Sequence, residues 1–336
     1  MQFGLLILLS IVSFILCFFT LPMWIRKARS RGFVGRDVHK LDGREIAEMG
    51  GIMVVFGIGL SILLYIAFDT FYYKNPDSIP EILAAVASLL IAAIIGMIDD
   101  ILGWRIGIKQ KTKVLLSLLI PLPLMIINAG HSEMTFPFIG TQDLGLLFPL
   151  LIVPIAIIGA SNAFNMLAGY NGLEAGMGII IFATLGFIAY ITGGTEATMI
   201  AVISISALVA FLHYNKIPAK VFPGDTLTYS IGALVAIVAI LGNIEKYAAI
   251  LFFLYYVEFI LKKRGKFKEQ SYGELLKDGS LSVKDGIYSI PHIAILFLRK
   301  LKGKAYENEV VLVVLFMQTI VALVTLYYFY CFYLSR

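Results

Sequence analysis

Ala160-Ser-Asn-Ala-Phe-Asn-Met-Leu-Ala-Gly-Tyr-Asn-Gly-Leu-Glu-Ala-Gly176 lies between two long apolar runs, 147–159 and 177–192. Three asparagines (Asn162, Asn165, Asn171), the acid Glu174 and several glycines interrupt what is otherwise membrane-grade sequence. Polar side chains at the end of a membrane span are costly unless they face protein, water or a ligand, so they mark a functional site. Their i, i+3 spacing puts Asn162 and Asn165 on one helical face. Ala168-Gly-Tyr-Asn-Gly172 then breaks the helix and lets backbone approach a ligand closely. A plain hydrophilic loop between two spans is the competing reading.

Composition agrees with the membrane reading. The chain of 336 residues is 59% hydrophobic and 15% charged, with mean hydropathy +0.88. Soluble domains carry about 25% charged residues. Apolar runs near span length recur along the whole chain, which predicts an all-α, polytopic membrane protein. The first 24 residues hold no charged side chain. They lack the basic start and small-residue cleavage site of a secretory signal, so 3–25 reads as a retained first span. Cys17 and Cys331 both fall inside expected spans and imply no disulfide framework.

The hydropathy pattern predicts about ten spans, near 3–25, 50–68, 81–98, 112–128, 147–163, 175–192, 197–213, 226–242, 246–261 and 308–332. The connections alternate sharply in charge. Segments 26–49, 99–111, 164–174, 214–225 and 262–307, with Lys113 just inside a span, hold 24 of the 27 Lys and Arg. The positive-inside rule then places these loops in the cytoplasm and both termini outside. That asymmetry, facing anionic headgroups, accounts for the net charge of +5 without a nucleic-acid partner. No repeat or linker divides the chain, so 1–336 reads as one transmembrane domain.

The expected cytoplasmic face gathers the chemistry-bearing residues. Its first loop holds Asp37, His39 and Lys40, followed by Glu48 and the Gly50-Gly51 pair at the mouth of span two. A solvated loop and close helix packing are the plainer readings of these. Span three ends at Asp99-Asp100, with Lys109 on the loop beyond. Adjacent carboxylates raise each other's pKa and both gain from a cation. A lysine there can neutralise phosphate oxygens. Asp225 follows Pro223-Gly224 at the start of span eight. Alone it reads as a helix cap. Together with Asp99, Asp100 and Asn165 it gives the oxygen-ligand chemistry of a Mg²⁺–phosphate site. The long basic loop 262–307 contains an amphipathic segment, 287–301, that reads as an interfacial helix begun by Pro291, with His292 at its start. The hairpin 129–146 on the other face reads as short strands or coil with no chemistry.

Taken together, these clusters resemble the polyprenyl-phosphate N-acetylhexosamine-1-phosphate transferase superfamily (glycosyltransferase family 4) along essentially the whole chain. Asn162-Ala-Phe-Asn-Met-Leu-Ala-Gly-Tyr-Asn-Gly-Leu-Glu174 and Val221-Phe-Pro-Gly-Asp-Thr226 resemble its UDP-N-acetylglucosamine–dolichyl-phosphate GlcNAc-1-phosphate transferase branch, in an archaeal-like form. The resemblance implies a Mg²⁺-dependent enzyme, with Mn²⁺ as an alternative metal. It would transfer GlcNAc 1-phosphate from a UDP-sugar to a polyprenyl or dolichyl phosphate and release UMP, as the first membrane step of glycan or glycoprotein assembly. Asp225 and Asn165 would be metal ligands. Asp99 and Asp100 would orient or deprotonate the lipid phosphate, Lys109 would hold phosphate, and His292 would contact the sugar or its phosphate. Asn171 with Gly172 would read uracil. Glu48, Asp37, Lys40 and Asn162 complete the substrate side.

The site would face the cytoplasm from a multi-pass position in the cell membrane, and a homodimer is compatible with the pattern. A phospho-MurNAc-pentapeptide transferase is the alternative within the superfamily, but only Ser289-Ile-Pro-His292 stands where that branch carries a histidine-rich tract. A cation-coupled transporter is a remoter reading, because transporters favour ionisable groups at mid-membrane and paired repeats. A non-catalytic scaffold would not need Asp-Asp, Asn-x-x-Asn and Pro-Gly-Asp on one face.

Overall fold

The long apolar runs are helices. In the computed structural model, which describes residues 3–74, 76–136, 140–284 and 286–334, eight helices are long and apolar enough to cross a membrane. They are α1 (Phe3–Ser30), α2 (Gly51–Phe68, extended by a wider turn to Tyr73), α3 (Ile79–Ile106), α6 (Val153–Met166, entered through Phe148–Ile152), α7 (Leu173–Thr192), α8 (Thr195–Asn215), α9 (Gly224–Leu241) and α13 (Glu307–Leu334).

The other two expected spans are not single helices. Segment 112–128 is split into α4 (Gln110–Ser117) and α5 (Leu122–Ile126) by turns that contain Pro121, with Pro123 close behind. Proline lacks the N–H and clashes with the preceding turn, so an apolar run of span length does not make one rod here. Segment 246–261 becomes α10 (Glu245–Leu251) and α11 (Phe253–Arg264), broken at Phe252. Arg336 lies outside the described residues.

Three two-stranded antiparallel hairpins decorate the bundle: β1 (Val34–Arg36) with β2 (Glu45–Ala47), β3 (Glu133–Phe136) with β4 (Gly140–Asp143), and β5 (Glu274–Leu275) with β6 (Leu281–Ser282). The second is the hairpin expected near 129–146. The amphipathic segment of the last long loop is α12 (Ile290–Lys302), which buries Ile290, Ala294, Ile295 and Leu298 and exposes Phe297 and Leu301.

Helix α9 is the axis of the fold. Of its apolar window 89% is buried, against 28% for α1 and 33% for α13, which face outward. It packs on α3, α6, α2 and α8. Without a hydrophobic drive between helices in lipid, association depends on close van der Waals contact, which small residues permit. A Cβ at Gly96 of α3 would lie 2.4 Å from the Asp225 carbonyl oxygen, and one at Gly232 of α9 would lie 2.5 Å from that of Ala160 on α6. These contacts draw the ends of α3, α6 and α9 to one point. The 216–223 segment is held there too: Phe222 N–H donates to Ala47 O at 2.7 Å, and Gly51 N–H to Pro223 O at 2.9 Å.

Candidate active site

Asp99, Asp100, Asn165 and Asp225 gather where α3, α6 and α9 converge, and two of them, Asp99 and Asp225, share one ammonium. Asp99 and Asp100 lie in α3 just before its helical path is interrupted at Gly103 (φ +71°). The turn back lets Ile108 N–H donate to Asp99 Oδ1 at 2.6 Å. The other oxygen, Oδ2, lies 2.5 Å from the Lys113 ammonium of α4, which also reaches Asp225 Oδ2 at 2.7 Å. Asn165 Nδ2 donates to the same Asp225 oxygen at 3.3 Å, and Asn165 Oδ1 accepts Thr228 Oγ1–H at 2.9 Å.

Asp100 faces a different task. It accepts the backbone N–H of Asp225 at 2.7 Å and of Thr226 at 3.0 Å, plus the Thr226 hydroxyl at 2.6 Å. The first N–H groups of a helix have no partner inside it. Those of α9 are met by Asp100, so the Asp225 side chain is not the cap of its own helix and stays turned to Lys113 and Asn165. Gly224 makes this possible: at φ +70° it turns the chain, and a Cβ there would meet the Asp100 carboxylate at 2.5 Å. Asn162 is locked beside the group. It donates to Ser117 Oγ (3.1 Å) and Ile158 O (2.9 Å), and accepts from Tyr229 OH (3.3 Å).

A second buried group adjoins the first. Asn171 Nδ2 donates to Asp37 Oδ2 at 3.0 Å, and Asn171 N–H to Glu307 Oε1 at 3.1 Å. Glu307 pairs with Lys40 and lies 3.6 Å from His39 Nδ1. The His39 ring stacks on Tyr170 at 4.4 Å between centroids. Asp37, His39 and Glu307 are close enough to share a cation, but the Lys40 ammonium already neutralises Glu307. The turn between α6 and α7 is held from below: Gly169 N–H donates to Glu174 Oε1 (2.6 Å) and Gly172 N–H to Asn215 Oδ1 (2.9 Å).

The loop after α11 closes over this turn. Tyr170 OH donates to Ser271 O at 3.2 Å and accepts Gly273 N–H at 3.0 Å. Glu258, fully buried, accepts Ser289 Oγ–H and Ile290 N–H, both at 2.7 Å, and so caps α12. Its carboxyl is pushed above the ordinary range by burial, which the two donors partly offset. One continuous cavity of about 2460 Å³ joins both groups to an apolar wall that includes Val235, Ala236, Ala239 and Phe259.

Proteins similar to this chain bear informative names. The family model "Glycosyl transferase family 4" matches residues 82–243, the segment that carries Asp99, Asp100, Asn165, Asn171 and Asp225. A Saccharolobus solfataricus protein, provisionally named UDP-N-acetylglucosamine–dolichyl-phosphate N-acetylglucosaminephosphotransferase, is 37% identical over 94% of both chains. One of the same provisional name from Sulfolobus acidocaldarius is 34% identical over 92% of both. A phospho-N-acetylmuramoyl-pentapeptide-transferase from a Wolbachia strain is 30% identical over 73% of this chain and 77% of its own.

The chain belongs to glycosyl transferase family 4.

Membership gives the geometry a phosphotransferase context, and the sequence-predicted residues fall into place unevenly. Asp99, Asp100, Asn162, Asn165 and Asp225 come together at the first group. Asp37, Lys40 and Asn171 come together at the second. Glu48 lines the cavity between them, its carboxyl raised by burial and then by the nearby Asp100. Three residues stand elsewhere. Gly172, expected beside Asn171 at the uracil, does not line the cavity, and its N–H is taken by Asn215 Oδ1. Lys109 is the residue just before α4 and does not line the cavity; Lys113, one turn further on, holds the position between the carboxylates. His292 does not line it either. Its Nδ1 accepts Tyr288 N–H at 3.3 Å and its Nε2 faces Tyr272 O at 3.2 Å, so it braces the closing loop. Sequence reading missed Lys113 and Glu307 as site residues. Each stands at the edge of an apolar run, Lys113 after Lys109 and Lys111, Glu307 just before Glu309, so neither is set apart from its charged neighbours in the sequence.

Proposed function

We propose that this protein transfers GlcNAc 1-phosphate from UDP-GlcNAc to a polyprenyl or dolichyl phosphate at the cytoplasmic surface of the membrane. An oxygen of the lipid phosphate attacks the β-phosphorus of the donor. The bond from that phosphorus to the bridging oxygen breaks, UMP leaves with the bridging oxygen, and a polyprenyl pyrophosphoryl sugar stays in the bilayer. The observation that carries this reading is Lys113 held between Asp99 and Asp225 in a cavity with one polar end and one apolar wall. Such a cavity suits a reaction between a soluble nucleotide and a lipid. The names of the archaeal relatives support the donor and acceptor. The clustering of Lys and Arg on the connections at this end supports a cytoplasmic face.

Phosphoryl transfer needs positioning and charge stabilisation more than covalent chemistry. Lys113 would take phosphate charge in the space it already shares with two carboxylates. Asp99, oriented by Ile108 N–H, would position Lys113 and the incoming lipid phosphate. Asp100 would hold the start of α9 so that Asp225 keeps its aim. The donor set fits a hard divalent cation: Asp225 Oδ2 already faces the Lys113 ammonium, and the adjacent Asn165 carries an amide oxygen, here accepting Thr228 Oγ1–H. Mg²⁺, or Mn²⁺ in its place, would be held by Asp225 and Asn165 and would neutralise the pyrophosphate. Asn171 and Glu48 would hold the uridine end, and His292 would support that end by bracing the loop that closes over the Asn171 turn.

Purified protein incubated with UDP-GlcNAc, a polyprenyl phosphate and Mg²⁺ should release UMP and form a lipid-linked sugar. UDP-MurNAc-pentapeptide should give neither. UMP release from the pentapeptide donor alone would reassign the branch, and release from no UDP-sugar would overturn the reading.

A further inference from the structure

The Asn171 side chain has its polarity set by a neighbour. A carboxylate offers only acceptors, so the amide group facing Asp37 Oδ2 at 3.0 Å must be the NH₂. Neither residue is free to rearrange: Asp37 is 2% exposed and Asn171 5%. Asp37 Oδ1 is engaged as well, accepting His39 N–H at 3.1 Å. The Asn171 backbone is pinned from the other side, its N–H donating to Glu307 Oε1 at 3.1 Å. Glu307 is itself buried and held by Lys40 and His39. What Asn171 has left is its side-chain oxygen, which meets no donor among the described residues, on a residue that lines the cavity. The wall therefore offers an acceptor at this point.

We propose that Asp37, acting through Asn171, makes the site select a pyrimidine that carries a ring N–H, and so uracil over cytosine. The inference rests on the placement of the uridine end at Asn171. Uracil presents N3–H as a donor between two carbonyl oxygens. Cytosine presents an unprotonated N3, an acceptor, at the same ring position. Against a fixed Asn171 Oδ1, uracil forms a hydrogen bond, while cytosine sets two acceptors face to face. A buried site rejects a partner that leaves its polar groups unpaired far more strongly than one that merely fits loosely. Asp37 touches no base in this arrangement; it is a positioning residue. An asparagine in its place could either donate or accept, and the Asn171 amide would then be free to present its NH₂ to the cavity.

The test is calorimetric binding of UMP and CMP to the full-length protein in detergent with Mg²⁺. The wild type should prefer UMP by on the order of 100-fold or more. Asp37→Asn should reduce that ratio at least tenfold, mainly by gaining CMP affinity. The exchange Asp37→Asn with Asn171→Asp should restore it, because the amide then donates to a carboxylate whose other oxygen faces the base. The exchange also decides the matter if the single variant fails to fold. An unchanged UMP/CMP ratio in Asp37→Asn, or an exchange that folds without preferring UMP, overturns the inference. Unchanged UMP binding in Asn171→Ala would instead remove uridine from Asn171, overturning the placement and the inference with it.

Discussion

The Lys113 ammonium lies 2.7 Å from Asp225 Oδ2, joining α4 to the first turn of α9. Lys109, one turn earlier, lines no part of the cavity. The two lysines should therefore separate cleanly. Lys113→Met should lower kcat on the order of 100- to 1000-fold, the scale of losing one charge-stabilising donor. Lys109→Met should stay within a few-fold of wild type. Equal losses in the two variants would return phosphate binding to Lys109.

Asp99 and Asp100 are adjacent but unlike. Asp100 spends its carboxylate on two backbone N–H groups and a hydroxyl at the start of α9, whereas Asp99 faces Lys113. Asp100→Asn should lower thermal stability as well as turnover, by about 1–3 kcal/mol, because an amide cannot accept at both oxygens. Asp99→Asn should lower turnover with the melting temperature nearly unchanged. Thermal unfolding in detergent beside a UMP-release assay checks both, and matched melting curves for the two variants would contradict the division of roles.

Asp225→Asn should fold, since Asp100 and not Asp225 caps α9. It should lose turnover at least 100-fold and need more Mg²⁺ for what remains. Chelation should abolish wild-type turnover and Mn²⁺ should restore it. Near-normal rates and an unshifted Mg²⁺ titration in the variant would remove Asp225 from the metal.

Gly96→Ala tests the packing beneath the site. The new methyl would meet the Asp225 backbone rather than a flexible side-chain end. Overpacking of this kind costs about 1–3 kcal/mol. Turnover should fall along with stability, because the backbone that must yield carries Asp225. A stable, fully active variant would show that the α3–α9 contact can relax without moving the site.

His292 gives the closing loop a pH dependence. Burial lowers its pKa below the ordinary 6.5, and an Nδ1 that accepts Tyr288 N–H has to be unprotonated. A depressed histidine pKa means that the unfolded loop binds the proton first. The stabilising contribution is therefore full above about pH 6.5 and falls as pH drops through and below that value. Limited proteolysis of the 265–289 loop should accelerate between pH 6.5 and 5 in the wild type. His292→Gln should flatten that profile; an unflattened one would place the titrating group elsewhere.

Much of this protein is determined along the chain itself. Apolar runs of span length must bury their backbone polar groups in helices, so a helical membrane bundle follows from Phe3–Ser30, Gly224–Leu241 and their like without any contact being known. The motif residues Asp99, Asp100, Asn162, Asn165, Asn171 and Asp225 are legible for the same reason, as polar groups where hydrophobic ones would be cheaper. Local reading fails where partners are remote in sequence. That Asp100 rather than Asp225 caps α9, that Lys113 rather than Lys109 stands between the carboxylates, and that His292 braces a loop all depend on which helix ends meet. Glu307 is 136 residues from the Asn171 N–H it accepts, and Asp37 is 134 residues from the amide it orients. A hydrogen bond is decided within a fraction of an ångström, and only tertiary packing, of α9 against α3 and α6 at the first group and of α13 against α7 and α12 at the second, fixes positions that finely.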